Sequence, residues 1–188
     1  MKAPIETEIK IPVESAAGAR ALLRRCGFKV RARRVFEQNI VLDDSGGSLR
    51  ARGLLLRVRA AGGAVTCTYK GPSLAGRHKR RVEQEFGATD LKACLALFEG
   101  IGFRESFRYE KYRTEYERAG EDGHATLDET PIGVFMELEG AAGWIDRTAA
   151  ELGFGPEAWV TSSYASLYFA WCAKKRRRPT GMTFPKTT

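Results

Sequence analysis

Ile5-Glu6-Thr7-Glu8-Ile9-Lys10-Ile11-Pro12 alternates without a break. Ile5, Thr7, Ile9 and Ile11 fall on one face, and Glu6, Glu8 and Lys10 on the other. This is the period-two pattern of a half-buried strand. The apolar face requires a core. The other carries two carboxylates about 7 Å apart, two rises along a strand. Carboxylates so placed repel each other unless a cation lies between them, and their hard oxygens suit Mg2+ or Mn2+. Taken alone, the stretch also fits an exposed edge strand with a solvated charged face.

The same partition recurs along the chain. Strands are expected over 29–42, 54–60, 64–70, 79–86, 103–118, 124–128 and 134–139. Gly62-Gly63 is placed to turn a tight hairpin. Helices are expected over 14–26, closed by Gly27, and over 90–100, 142–152 and 162–173, where apolar residues recur at helical spacing. Short antiparallel strands interrupted by helices suggest an α+β fold, an antiparallel β-barrel with helices packed outside.

The chain has 188 residues, enough for one domain with a substantial core. The opening residues lack the apolar segment of a signal peptide and no run reaches membrane-helix length, so a cytoplasmic protein is expected. Cys26, Cys67, Cys94 and Cys172 are widely spaced, which argues against a thiolate zinc site or disulfide framework and fits reduced thiols. The net charge of +8 points to an anionic partner. Without Lys174-Lys175-Arg176-Arg177-Arg178 it falls to +3, leaving a mildly basic domain over 1–173. Residues 174–188 are expected to form a disordered basic tail. His78 and His124 read as ordinary surface residues.

The charged strand faces carry the acids Glu6, Glu8, Glu83, Glu85, Asp128, Glu137 and Glu139. They also carry the bases Lys10, Arg57, Arg59, Lys70, Arg81, Lys111 and Arg113. If the opposite faces pack under helices, these groups line the barrel's interior. Charges there are costly to desolvate and are weak evidence for stability. They make sense in a wet lumen holding a polyanion, with Arg and Lys on phosphate oxygens and carboxylates on a metal.

Several stretches carry a resemblance: Glu6-x-Glu8-x-Lys10, Leu56-Arg57-Val58-Arg59, Tyr69-Lys70-Gly71-Pro72, Arg81-x-Glu83-x-Glu85, Glu110-Lys111-Tyr112-Arg113, Leu127-Asp128, Gly133-x-Phe135-x-Glu137-x-Glu139 and Ser163-Tyr164. In this order they resemble the CYTH superfamily of class IV adenylyl cyclases, thiamine triphosphatases and inorganic triphosphatases. The resemblance implies an eight-stranded tunnel binding a triphosphate with Mg2+ or Mn2+. It implies that Glu6, Glu8, Glu137 and Glu139 hold metal, with Glu83 and Glu85 candidates for a second ion. Lys10, Arg57, Arg59, Lys70, Arg81, Lys111 and Arg113 would bind phosphate, and Lys70 and Asp128 are the candidate catalytic groups. The substrate would be tripolyphosphate, ATP or thiamine triphosphate, and the protein a monomer or homodimer.

One departure stands out. Hydrolytic members often pair the lysine at the Lys70 position with a tyrosine on the second strand, and 36–43 contains none. Hydrolysis of a triphosphate is the favoured activity. Cyclisation of ATP to cyclic AMP and pyrophosphate is the second reading. A non-catalytic polyphosphate or RNA binder is the third, though a pure anion binder gains nothing from a carboxylate lining. The basic tail would hold nucleic acid only weakly.

Overall fold

The computed structural model describes residues 4–185. Eight strands close an antiparallel barrel in the order β1-β5-β4-β3-β2-β6-β7-β8. They are β1 (Ile5–Val13), β2 (Lys29–Asp43), β3 (Leu55–Ala61), β4 (Ala64–Lys70), β5 (Lys79–Ala88), β6 (Arg104–Glu117), β7 (His124–Thr130) and β8 (Gly133–Glu139). Five helices intersperse them: α1 (Ala16–Arg25), α2 (Ser48–Ala51), α3 (Leu91–Gly100), α4 (Ala142–Glu151) and α5 (Tyr164–Lys174). The expected α+β barrel with outer helices is the architecture observed.

Local chemistry explains most boundaries. The Ser15, Asp90 and Ser163 side chains cap α1, α3 and α5 by accepting from Gly18, Ala93 and Ser166 N–H groups. Gly62 and Gly63 have φ of 55° and 85°, the left-handed pair that a two-residue hairpin between Ala61 and Ala64 requires. Sequence reading left 48–51 within the connection after β2. There the Asp43 carboxylate accepts from the Leu49 and Arg50 N–H groups and initiates α2.

Ile9 and Ile11 of β1 face outward and pack under α1 and α4, in a cluster with Leu23, Phe28, Leu138 and Ile145. On the other side Ile40, Val58 and Cys67 meet α3. Phe107, Tyr109, Phe135, Tyr164 and Tyr168 form a third, aromatic cluster beneath α5. The first two clusters draw on outward faces, whereas Phe107, Tyr109 and Phe135 of the third share the inward faces with Lys111, Arg113 and Glu137 and pack beside the charged lining.

The expected disordered tail needs correction. β7 pairs with β6 only over Tyr112–Glu117, which leaves the backbone around Arg108 and Glu110 unpaired on that side. The chain after α5 occupies this edge. Met182 N–H donates to Arg108 O at 3.0 Å, and Glu110 N–H donates to Met182 O at 2.8 Å. An unpaired edge is a strong template for another segment, and the tail also brings apolar groups. Met182 is fully buried in the aromatic cluster, and Phe184 lies 5.2 Å from Tyr112 between ring centroids. Residues 186–188 lie outside the described residues. Met182→Ala is therefore expected to cost about 2–4 kcal/mol in urea unfolding, the range for emptying a buried Met site. Unchanged stability would show that the tail is not docked.

Candidate functional site: a charged barrel lumen

Inward-facing side chains enclose a cavity of about 290 Å3 lined by nine Lys and Arg and seven Glu side chains. Antiparallel register interleaves them. Lys10 faces Glu137, Glu8 faces Glu139, Glu6 faces Arg81, Lys70 faces Glu83, and Lys111 faces Glu37 across neighbouring strands.

One side of the lumen centres on Asp128, fully buried on β7. Its carboxylate accepts from Lys111 Nζ at 2.8 Å, from Arg113 Nε and Nη2 at 2.8 and 2.6 Å, and from the Tyr164 hydroxyl at 2.7 Å. Three of these bonds fall on Oδ2 and one on Oδ1, so the carboxylate is largely engaged in holding its neighbours. In this arrangement Asp128 anchors Lys111, Arg113 and Tyr164. Lys10 and Arg113 both bond Glu137. Burial pushes the Glu137 carboxyl up, but these cations outweigh it and hold it well below the usual range. Tyr164, brought in by α5, sits under two ammonium groups, Lys10 at 4.6 Å and Lys111 at 5.2 Å from its ring centre.

Arg57 donates to the Tyr109 hydroxyl, Thr68 and Glu85 at 3.0–3.3 Å. Arg59 lies 3.8 Å from both Glu37 and Glu85. Arg81 instead spends its guanidinium on the carbonyls of Gly71 and Gly53, at 2.6 and 2.7 Å, tying the chain around β4 and β5. Arg57 Nε and both amide atoms of Asn39 are buried without a protein partner among the described residues.

Glu6, Glu8, Glu83 and Glu139 form the other side. Lys70 Nζ bonds Glu6 at 2.5 Å and approaches Glu83 at 3.1 Å; Lys79 Nζ bonds Glu8 at 2.5 Å. Burial raises the Glu8 carboxyl, but Lys79 and Lys10 bring it down to about 2. Glu6 and Glu139 go the other way. Burial and the neighbouring Glu8 push Glu6 up to about 8 and Glu139 to about 7. Negative charge is in surplus at these two positions.

Among the described residues no three carboxylate, His or Cys side chains converge to clasp an ion, because Lys70 and Lys79 hold the oxygens of Glu6 and Glu8. The donor chemistry nevertheless fits a hard divalent cation: oxygen ligands only, with two carboxyls that bind protons for want of positive charge. Glu137 and Glu85 fit less well, since arginines already neutralise them.

A pH signature follows. A carboxyl that holds its proton more tightly when folded contributes stability at low pH and loses it as pH rises through its folded pKa. Glu6 and Glu139 therefore destabilise the chelated protein progressively as pH rises from about 5 to 8. Glu8 and Glu37, both near 2, contribute stability that is present above the unfolded value of 4.5 and lost in acid. The melting temperature in EDTA should fall above pH 5, and Glu6→Gln should flatten that fall. An unchanged slope in the variant would refute the assignment.

Sequence reading missed Arg31, Glu115, Tyr109, Lys79, Glu37 and Tyr164. Tyr109 shares its face with Lys111 and Arg113 at a spacing of two, so parity alone could have found it. Lys79 shares one with Arg81 in the same way. Glu37 has a parity signal only once the β2–β6 register is known. Tyr164 lies on a helix and carried no mark beyond the Ser163-Tyr164 motif. The second strand indeed supplies no phenol, and the lumen's tyrosines come from β6 and α5. Of the histidines, His124 lines the lumen 3.5 Å from Glu139, and His78 is buried against Asp146 at 2.8 Å. Neither is an ordinary surface residue.

Fold and lining together define a closed antiparallel β-tunnel with an ion-paired lumen. The chain belongs to the CYTH domain family, whose model matches residues 4–150. A protein of Methanocaldococcus jannaschii provisionally named an adenylate cyclase is 31% identical over 136 residues, 72% of this chain and 76% of its own. A Vibrio parahaemolyticus structure described in the same terms superposes with a TM-score of 0.77 at 17% identity, over 88% of this chain and 98% of its own. A Hippeastrum structure superposes with a TM-score of 0.64 at 17% identity, over 89% and 95%. That plant protein is described as an adenylyl cyclase by name with a dominant triphosphatase activity. No helix among the described residues is long and apolar enough to cross a membrane.

Proposed function

We propose that the protein hydrolyses a linear triphosphate, inorganic or organic, held in the lumen with Mg2+ or Mn2+. Membership of the CYTH family supports an enzyme acting on a triphosphate. Lys10, Arg57, Arg59, Lys111 and Arg113 would bind phosphate oxygens, aided by the free Nε of Arg57. Glu6, Glu8 and Glu139 would hold the divalent cation, which supplies Lewis-acid neutralisation of phosphate charge. Lys70 lies beside these carboxylates and neutralises charge gathering on the transferring phosphoryl group. Asp128, Glu137, Glu37, Glu83 and Glu85 hold the cationic side chains in place before substrate arrives, so less reorganisation remains for the transition state.

The observation favouring hydrolysis over cyclisation is the lining. Its uncharged members other than His124 are Leu55, Tyr109, Ser163 and Tyr164, and both phenols are engaged. An adenine ring has no apolar slot among them, and cyclisation needs the nucleoside held over its own α-phosphate. The Hippeastrum activity shows that this fold supports triphosphatase chemistry in another protein. Cyclisation remains the second reading because of the name carried by the M. jannaschii relative.

A panel of tripolyphosphate, ATP, GTP and thiamine triphosphate, each with Mg2+ or Mn2+, tests this. Phosphate, pyrophosphate and cyclic AMP would all be measured. Phosphate release from tripolyphosphate is expected. Cyclic AMP stoichiometric with pyrophosphate, without turnover of tripolyphosphate, would sink the hydrolytic reading.

A further inference from the structure

Cys67 and Cys94 are 27 residues apart in sequence, yet their Sγ atoms lie 3.0 Å from each other. Cys67 is on β4, on the face opposite Thr68 and Lys70, and is buried under α3. Cys94 is on α3 and is only partly buried. A disulfide bond spans about 2.05 Å, so closure needs a movement of about 1 Å. The other two thiols are placed elsewhere. Cys26 Sγ donates to Glu151 O, and Cys172 is buried beneath α5.

α3 is also weakly anchored. None of its residues is fully buried, whereas α4 buries Trp144, Ile145, Thr148 and Ala149 and α5 buries Tyr164, Tyr168 and Cys172. Leu97 and Ile101, at its outer side and end, are 63% and 64% exposed. A helix with few buried contacts opens locally at low free-energy cost.

The geometry points to a reversible Cys67–Cys94 disulfide that fastens α3 to the barrel wall. The oxidant is a small-molecule disulfide such as oxidised glutathione. Cys94 loses its proton and its thiolate attacks one sulfur of that disulfide. A mixed disulfide forms at Cys94, and the first small thiolate leaves and takes up a proton. Cys67 then loses its proton, and its Sγ attacks Cys94 Sγ and expels the second small thiol. The two protein thiols are oxidised by two electrons in total, and the small disulfide is reduced to two thiols. Burial and the neighbouring Cys94 push the Cys67 thiol up to about 12, consistent with Cys94 attacking first.

The test uses the full chain, reduced and then equilibrated with oxidised glutathione. Alkylation and intact mass should count four free thiols before and two after, with peptides carrying Cys67 and Cys94 joined. Tryptic cleavage after Lys92, exposed on α3, should slow by about tenfold and recover with dithiothreitol, since the cross-link restricts local opening. C94S should show neither the link nor the protection. Four thiols persisting, or an adduct that stops at Cys94 without cross-linking, would overturn the proposal. So would a link that leaves Lys92 cleavage unchanged.

Discussion

Glu6→Gln and Glu8→Gln should each lower turnover of tripolyphosphate by roughly two orders of magnitude or more, because metal Lewis-acid stabilisation is worth several kcal/mol. The two differ in stability. Burial and Glu8 push Glu6 up to about 8, so at neutral pH its carboxyl already holds a proton much of the time, and Gln imitates that form. In the unfolded chain that carboxyl is ionised at pH 7, so Gln removes the cost of holding the proton, and the melting temperature in EDTA should rise at pH 7 and match wild type below about pH 4.5. Glu8 is ionised and bonded to Lys79, so Glu8→Gln removes a working partner and should lower the melting temperature. Mn2+ titration by calorimetry provides a readout that does not depend on turnover, and both variants should bind the ion more weakly. Near-native turnover at limiting Mg2+, with undiminished Mn2+ binding, would refute the carboxylate assignment.

Asp128→Ala should destabilise the fold by roughly 3–5 kcal/mol, the cost of leaving buried charge without its partner. Lys111 and Arg113 would lose the acceptor that holds them, and the Tyr164 hydroxyl would lose its own. Urea denaturation measures the loss. Asp128→Asn keeps the shape but removes the charge, and it should lower stability as well as activity. This separates anchoring from direct catalysis. If Asp128 were the base, Asp128→Asn would abolish turnover while leaving the unfolding midpoint in place.

Much of the site was legible because strand parity is a local property. Glu6, Glu8 and Lys10 alternate with Ile5, Thr7, Ile9 and Ile11, and that contrast separates the charged face from the apolar one without any tertiary information. The same holds for Arg57 and Arg59, for Lys111 and Arg113, and for Glu137 and Glu139. Parity failed for Glu37, whose role depends on lying opposite Lys111 in the β2–β6 register. Composition misled at the tail. A run of five basic residues followed by Pro, Thr and Gly looks unstructured, yet Met182 fills an apolar site formed by β6 and α5. No local pattern announces that β7 stops early and leaves an edge for it.

By itself the sequence determined the strands, their two faces, the Gly62-Gly63 hairpin and most of the charges that enter the lumen. Each depends on spacing within a few residues, where backbone geometry alone decides direction. The tertiary structure decided which carboxylate meets which cation. It gave Asp128 four donors, gave Glu137 to Lys10 and Arg113, and left Glu6 and Glu139 with surplus negative charge. It also set Cys67 beside Cys94. Those outcomes depend on barrel closure and on burial, which strengthens charge interactions by removing water, and both arise only when residues distant in the chain are brought together.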